Sequence, residues 1–233
     1  MVSIRERYAG HDAMSRHFGA SEIWLLLLAL RWTVLLTLVA FAGGSMGGAM
    51  VAVLRVSPMR SLRIVTAIFI KVMQGLPLLI LLFLVFFGSN ILGLRVNAWT
   101  AAAIGYTLYG SVFLGEIWRG CIEAVPVGQW DAANALGLGF MQQLRLVIAP
   151  QAARIALAPS VGFLVQLLKS TSLASVIGFT ELTRAGQMIN NVTFQPLIVF
   201  GLVALMYFLL CWPLSIVSGR LEQRLGRRMS HGA

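Results

Sequence analysis

The chain of 233 residues is 58% hydrophobic and 11% charged, with mean hydropathy +0.84; an ordinary globular domain is about 45–50% apolar and about 25% charged. This balance excludes a soluble enzyme, a disordered chain and a disulfide scaffold. The net charge of +10 reads as basic residues gathered at the cytoplasmic ends of membrane spans rather than as a nucleic-acid surface.

At about 20 apolar residues per span, the composition supplies five or six helices. Lys71 and Lys169 are the two lysines among 18 basic residues, a bias that composition does not explain. Cys121 and Cys211 lie in or beside apolar runs and read as small core residues. His11, His17 and His231 have no spaced Cys or carboxylate partner, so no metal site is expected.

In chain order, residues 1–22 are a polar tail without the early apolar stretch of a secretory signal. An apolar run from Ile23 to Leu54 is interrupted by Arg31. It is longer than one span needs, so Ile23 to Leu30 is expected along the interface and span 1 from about Trp32 to Leu54. Span 2 runs from about Leu62 to Phe87, with Gly75-Leu76-Pro77 predicting a kink or break near its middle. Span 3 runs from about Trp99 to Ile117 and leads into a polar stretch, Trp118 to Gln143. Span 4 runs from about Leu144 to Leu168, through Pro150 and Pro159. Lys169-Ser170-Thr171-Ser172 and a moderately apolar segment with Glu181 and Arg184 follow. Span 5 is Pro196 to Val217, ahead of Arg220, Arg224, Arg227 and Arg228. The organisation is therefore a tail at 1–22, a transmembrane domain at 23–220 with a loop at about 118–143, and a basic tail at 221–233.

Cations in short loops set the orientation. Arg55, Arg60 and Arg63 follow span 1, Arg119 and Arg145 flank the third loop, and the C-terminal tail is basic; the loop between spans 2 and 3 has Arg95 alone. The first loop, third loop and C-terminus are expected in the cytoplasm, and the N-terminus outside.

No Gly-Lys-Ser/Thr phosphate loop exists, since Lys71 follows Ile70 and Lys169 follows Leu168. Gly43-Gly44-Ser45-Met46-Gly47 matches the Gly-x-Ser-x-Gly pattern of hydrolases, but that chemistry needs a strand-to-helix elbow. Inside a membrane helix the same glycines form small-xxx-small pairs, Gly43/Gly47 and Gly44/Gly48, that let helices approach closely. In the third loop, Gly128 can begin a helix and Asp131 favours its positive end. Ala132, Leu136 and Phe140 recur every four residues as an apolar stripe, and Gly137 and Gly139 permit a sharp exit. The expectation is a short amphipathic helix whose small residues fit a groove on another protein or rest on lipid.

This loop resembles the EAA loop of bacterial ABC-importer permeases. Gly115-Glu116-Ile117-Trp118-Arg119-Gly120, Val125-Pro126-Val127-Gly128-Gln129, Pro150-Gln151-Ala152-Ala153-Arg154, Lys169-Ser170-Thr171-Ser172-Leu173-Ala174 and Gln74-Gly75-Leu76-Pro77-Leu78 are together similar to the polar amino-acid permease family, of the histidine, glutamine and glutamate type, over about residues 30–225. Asp131 stands where the family usually has Glu, Ala149 where it has Leu, and Gln74 and Leu76 where it has Arg and Thr. The resemblance implies an all-α, five-span type I ABC importer permease (MetI-like) fold in the bacterial inner membrane. It implies a dimer with itself or a paralogue, cytoplasmic ATP-binding subunits that carry ATP and Mg, an extracytoplasmic binding protein, and an amino-acid substrate. The chain itself would bind no cofactor and hydrolyse no ATP. Gly128, Asp131, Ala132, Ala133 and Gly137 would couple it to the ATPase.

Charges inside the membrane are candidates for function. Glu116 either meets substrate or pairs with Arg119, its i+3 neighbour. Lys169, with Thr171 and Ser172, either meets a carboxylate or snorkels to the interface. Lys71 and Gln74 lie one turn apart beside the Pro77 break, where unwound backbone can meet a zwitterion. The competing class is an ion-coupled carrier or channel subunit working without an ATPase; a hydrolase built on Ser45 is more distant.

Overall fold

A computed structural model describes residues 18–230. Residues 1–17 of the expected tail, with His11 and His17, and the last three, with His231, lie outside the described residues. Helices dominate, and the described residues contain no strand.

Helix α1 (Ala20–Val56) runs unbroken for 37 residues, about 56 Å at 1.5 Å per residue. The expected division at Arg31 does not occur. No proline interrupts the run, and Arg31 sits on an exposed face with its guanidinium carbon 5.5 Å from the Trp32 ring centre. A charge on an outward face leaves the backbone ladder intact. At the start, Glu22 Oε2 accepts from the Gly19 N–H at 2.9 Å, so one orphan donor is satisfied.

The proline prediction holds. Helices α2 (Arg60–Gly75) and α3 (Leu78–Ile91) meet at a bend of 99°. Pro77 drives the residue before it out of the α region, and Leu76 is extended, with φ −88° and ψ 128°. Helix α4 (Ala98–Glu123) starts where Asn97 Oδ1 accepts from the Thr100 N–H. It continues six residues past the expected end at Ile117, so Trp118–Glu123 belong to the helix rather than to a loop.

The glycines of α1 pack against α4. A Cβ on Gly44 would sit 3.0 Å from Gly110 Cα, and one on Gly48 would sit 3.1 Å from Gly115 N. Gly43 and Gly47 face Thr107 and Ser111. The Gly-x-Ser-x-Gly match is thus a packing seam, with no elbow to support a nucleophile. The main core forms around this pair: Leu36 and Ala40 of α1, Leu82 of α3, and Ala102, Tyr106 and Leu114 of α4.

After the short helix α5 (Val127–Ala135) the chain builds one composite rod. It consists of α6 (Phe140–Gln142), a π-helix (Gln143–Ile148), α7 (Ala149–Ser170) and a 3-10 segment (Thr171–Ile177). The π segment has a local cause. Pro150 cannot donate to Leu146, and its ring clashes with that carbonyl in a regular α-helix. Helix α8 (Leu182–Thr193) and helix α9 (Pro196–Ser230) complete the chain. Arg220, Arg224, Arg227 and Arg228, expected beyond the last span, continue α9.

Stretches Ala20–Val56, Phe140–Ile177 and Pro196–Gln223 are long and apolar enough to cross a membrane, and α2 with α3 forms a bent fourth. Helix α4, 26 residues long, is long enough to cross but less apolar, since glycines, hydroxyls and acids occupy it; it packs along α1.

Candidate functional site

Helix α5 stands apart from the membrane-length helices and follows α4 after Ala124-Val125-Pro126. It begins at Val127, one residue before the expected Gly128, with Pro126 at the N-cap. Asp131 therefore falls on the second turn, where the favourable helix-end field has faded. It is exposed and makes no ion pair among the described residues. The expected stripe of Ala132, Leu136 and Phe140 does not form one face. The helix ends at Ala135, Ala132 and Leu136 are exposed, and Phe140 opens the next helix. Ala133, 1% exposed, is the residue that seats α5, and Trp130 stacks on Phe140 with ring centres 6.3 Å apart.

The exit is a Schellman motif. Leu138 N–H donates to Ala133 O at 3.2 Å, and Gly137 N–H to Asn134 O at 2.9 Å. Gly137 supplies the left-handed residue this requires, with φ +71°. Gly139 does something else: its N–H donates to Gln142 Oε1 at 3.0 Å, which starts the following rod.

Two side-chain amides from that rod hold α5. Gln143, buried in the π-helix, donates Nε2 to Asn134 Oδ1 and to Leu138 O, both at 2.6 Å. Gln151 of α7 donates to Gln129 Oε1 at 3.1 Å. Beneath α5 lies an apolar cluster of Ala52, Cys121, Ile122, Val125, Leu144 and Ile148. It continues into a cleft of about 520 Å³ between α1, α4 and α7, which Ser45 and Ser160 also line.

Glu116 is committed. Its carboxylate accepts from Arg55 Nε of α1 at 3.0 Å and from Arg119 at 3.0 Å, and Arg119 also pairs with Glu123. The Arg119 pairing expected from the i+3 spacing is present; the Arg55 partner, 61 residues away, is not readable from spacing.

The family described as "Binding-protein-dependent transport system inner membrane component" matches residues 44–231. The chain belongs to this family. It is 34% identical over 199 residues to the "Probable amino-acid ABC transporter permease protein YckA" of Bacillus subtilis (strain 168), covering 85% of this chain and 88% of that one. It is 34% identical to the "L-cystine transport system permease protein TcyB" of the same organism, covering 88% and 89%. Among solved structures, one described as an "amino acid ABC transporter with histidines" aligns with TM-score 0.79 and 32% identity over 86% of this chain and 94% of that one. The MetNI methionine ABC transporter aligns with TM-score 0.74 at 20% identity over 89% and 99%, a likeness of fold. The chain is thus a permease subunit with the MetI-like fold expected above.

The permease does not gather its other candidate residues in one place. Lys71 and Gln74 are exposed on α2, which packs on α1 and α4. Lys169 is exposed at the end of α7, which packs mainly on α9 and α4. Thr171 is fully buried and its hydroxyl donates to Leu168 O at 2.6 Å; Ser172 donates to Lys169 O at 2.9 Å. None of the six lines the cleft.

Sequence reasoning named Glu181 but gave it no role. In the permease it is fully buried and caps α8, accepting from Thr183 N–H and Arg184 N–H at 2.8 Å each and from the Tyr207 hydroxyl of α9 at 2.8 Å. The next amide, Leu182 N–H, donates to Thr33 Oγ1 of α1 at 3.0 Å. A carboxylate beside an apolar run carries a weak N-cap signal, because Ser, Thr, Asp and Asn are the usual caps.

Proposed function

We propose that the permease carries a polar amino acid across the inner membrane as half of a dimer, with itself or a paralogue, driven by ATP on separate cytoplasmic subunits. The names of its relatives support the substrate class. What carries the mechanism is α5: a nine-residue helix with one buried residue, held from behind and bare in front. Its exposed face, with Gly128, Asp131, Ala132 and Gly137, is the surface offered to the ATPase, while Ala133 anchors it from below. ATP and Mg reside on that partner, and this chain contributes no ATPase site.

An extracytoplasmic binding protein delivers substrate. The first and third loops and the C-terminus face the cytoplasm, where their arginines favour them, and the N-terminus lies outside. Lys71, Gln74 and Lys169, exposed and making no side-chain ion pair among the described residues, are the candidates of the six best placed to meet a zwitterion. Glu116, Thr171 and Ser172 have their polar atoms engaged within the chain.

Uptake into proteoliposomes that contain the partner subunits tests this reading. Transport should require ATP and survive collapse of the membrane potential, whereas an ion-coupled carrier gives the reverse. Gly137→Asp should abolish uptake while the chain still inserts; intact ATP-driven uptake by that variant would refute docking through α5. Competition among amino acids in Gln74→Ala and Lys169→Ala should show altered selectivity, and unchanged kinetics removes both from the pathway.

A further inference from the structure

The hydrogen bonds behind α5 straddle the π-helix. Gln143 begins that segment and Gln151 lies three residues beyond its end. The two bonds are unequal. Gln143 is 6% exposed and uses both N–H groups of its amide, one on a side-chain oxygen of α5 and one on the carbonyl just past Gly137. Gln151 meets Gln129 at the exposed surface, at the longer distance of 3.1 Å, and its amide also donates to Val147 O at 2.8 Å. A buried amide left unpaired costs more than an exposed one that water can satisfy, so Gln143 dominates. The π-helix itself is a register fault, six residues long, between α5 and the transmembrane rod α7. The π segment interrupts the regular i→i+4 ladder between α5 and α7, so a push on α5 needs a fixed attachment at this joint to reach α7 undiminished.

We propose that Gln143 is a positioning residue for energy coupling: it fastens α5 to the π-helical start of the α7 rod, with Gln151 as a weaker second fastening, so that movement of α5 becomes movement of the transmembrane helix. The inference rests on the reading that α5 docks on the ATPase. The chemistry is specific to a donor. Gln143→Glu keeps the shape but presents oxygen to the Leu138 carbonyl and to Asn134 Oδ1. Asn134→Ala removes the acceptor from an exposed position and leaves Gln143 in place, whereas Asn134→Asp keeps the acceptor.

The test measures amino-acid uptake and ATP hydrolysis together in proteoliposomes of the whole complex, with liganded binding protein on the extracytoplasmic side and ATP on the cytoplasmic side. Substrate moved per ATP hydrolysed should fall about tenfold in Gln143→Glu, fall less in Asn134→Ala, and return in Asn134→Asp. A normal ratio in Asn134→Ala, or an equal loss in Asn134→Ala and Asn134→Asp, overturns the proposal even if Gln143→Glu fails to accumulate. Gly137→Asp separates the two claims. If it transports normally, the docking reading fails and the fastening with it. If it is dead while Gln143→Glu and Asn134→Ala keep the normal ratio, the fastening alone fails.

Discussion

Gly137 has open space around it, since a Cβ there would meet nothing within 4 Å. Its contribution is backbone conformation, and at φ +71° asparagine is the side chain best tolerated after glycine. Gly137→Asn should therefore keep ATP-driven uptake, while Gly137→Val should strain the Schellman turn by about 1–2 kcal/mol and lower uptake. Together with Gly137→Asp, this series separates shape from charge. Glu181 makes a different case. Glu181→Ala would leave the amides of Thr183 and Arg184 without their cap and the Tyr207 hydroxyl with its Thr183 Oγ1 contact alone, so a loss of about 1–2 kcal/mol is expected, chiefly from the cap. Thermal unfolding in detergent should show it, and Glu181→Gln, which keeps an acceptor, should recover most of the stability. Gly137 was legible as a helix exit because glycine so often fills that position. Glu181 was not, because glutamate is an uncommon cap and its one distant partner, the Tyr207 hydroxyl of α9, lies 26 residues away.

Among the elements, the α1–α4 seam makes the sharpest prediction. Backbone meets backbone at Gly44 and Gly110, so there is no flexible side chain to yield. Gly44→Val should force the helices apart and cost several times the about 1 kcal/mol of an ordinary substitution, seen as loss of folded permease in membranes. Gly201, with nothing near a Cβ, provides the control: Gly201→Ala should be neutral or better. Small-residue spacing announced this seam, as Pro77 announced the bend between α2 and α3, because both effects act within one or two turns of sequence. The unbroken α1 was misjudged on span length alone; a helix can exceed the bilayer core of about 30 Å when no residue in it breaks the backbone ladder, and no proline lies between Ala20 and Val56. The stripe assigned to α5 failed for a related reason. Periodicity counts residues across a turn it cannot see, and the chain reverses at Gly137.

For the whole molecule, the five-span architecture followed from composition, prolines and loop charges. The tertiary pairing of α1 with α4 across the intervening α2 and α3 did not. Orientation is open to direct measurement: single cysteines near Arg60 and Arg220 should be labelled by impermeant reagents only from the cytoplasmic side, and labelling from outside would reverse the assignment of the loops. The Arg55–Glu116–Arg119–Glu123 chain of ion pairs ties the same two helices together near the α5 loop. The seam and these charges thus make α1 and α4 one body from their middle to the end beside α5.

That pairing also sets a schedule for synthesis. Chains emerge N-terminus first, so α1 enters the bilayer with Gly43, Gly44, Gly47 and Gly48 facing lipid, and their partners Thr107, Gly110, Ser111 and Gly115 arrive only after α2 and α3 have been made. During that interval the first helix exposes a bare backbone groove that any small-residue helix nearby could occupy. A nascent chain halted before Gly110 should cross-link from a probe at Gly47, which meets Ser111 in the folded chain, far more readily to neighbouring helices than one halted once α4 has entered the bilayer, when the groove is filled by the helix it was shaped for.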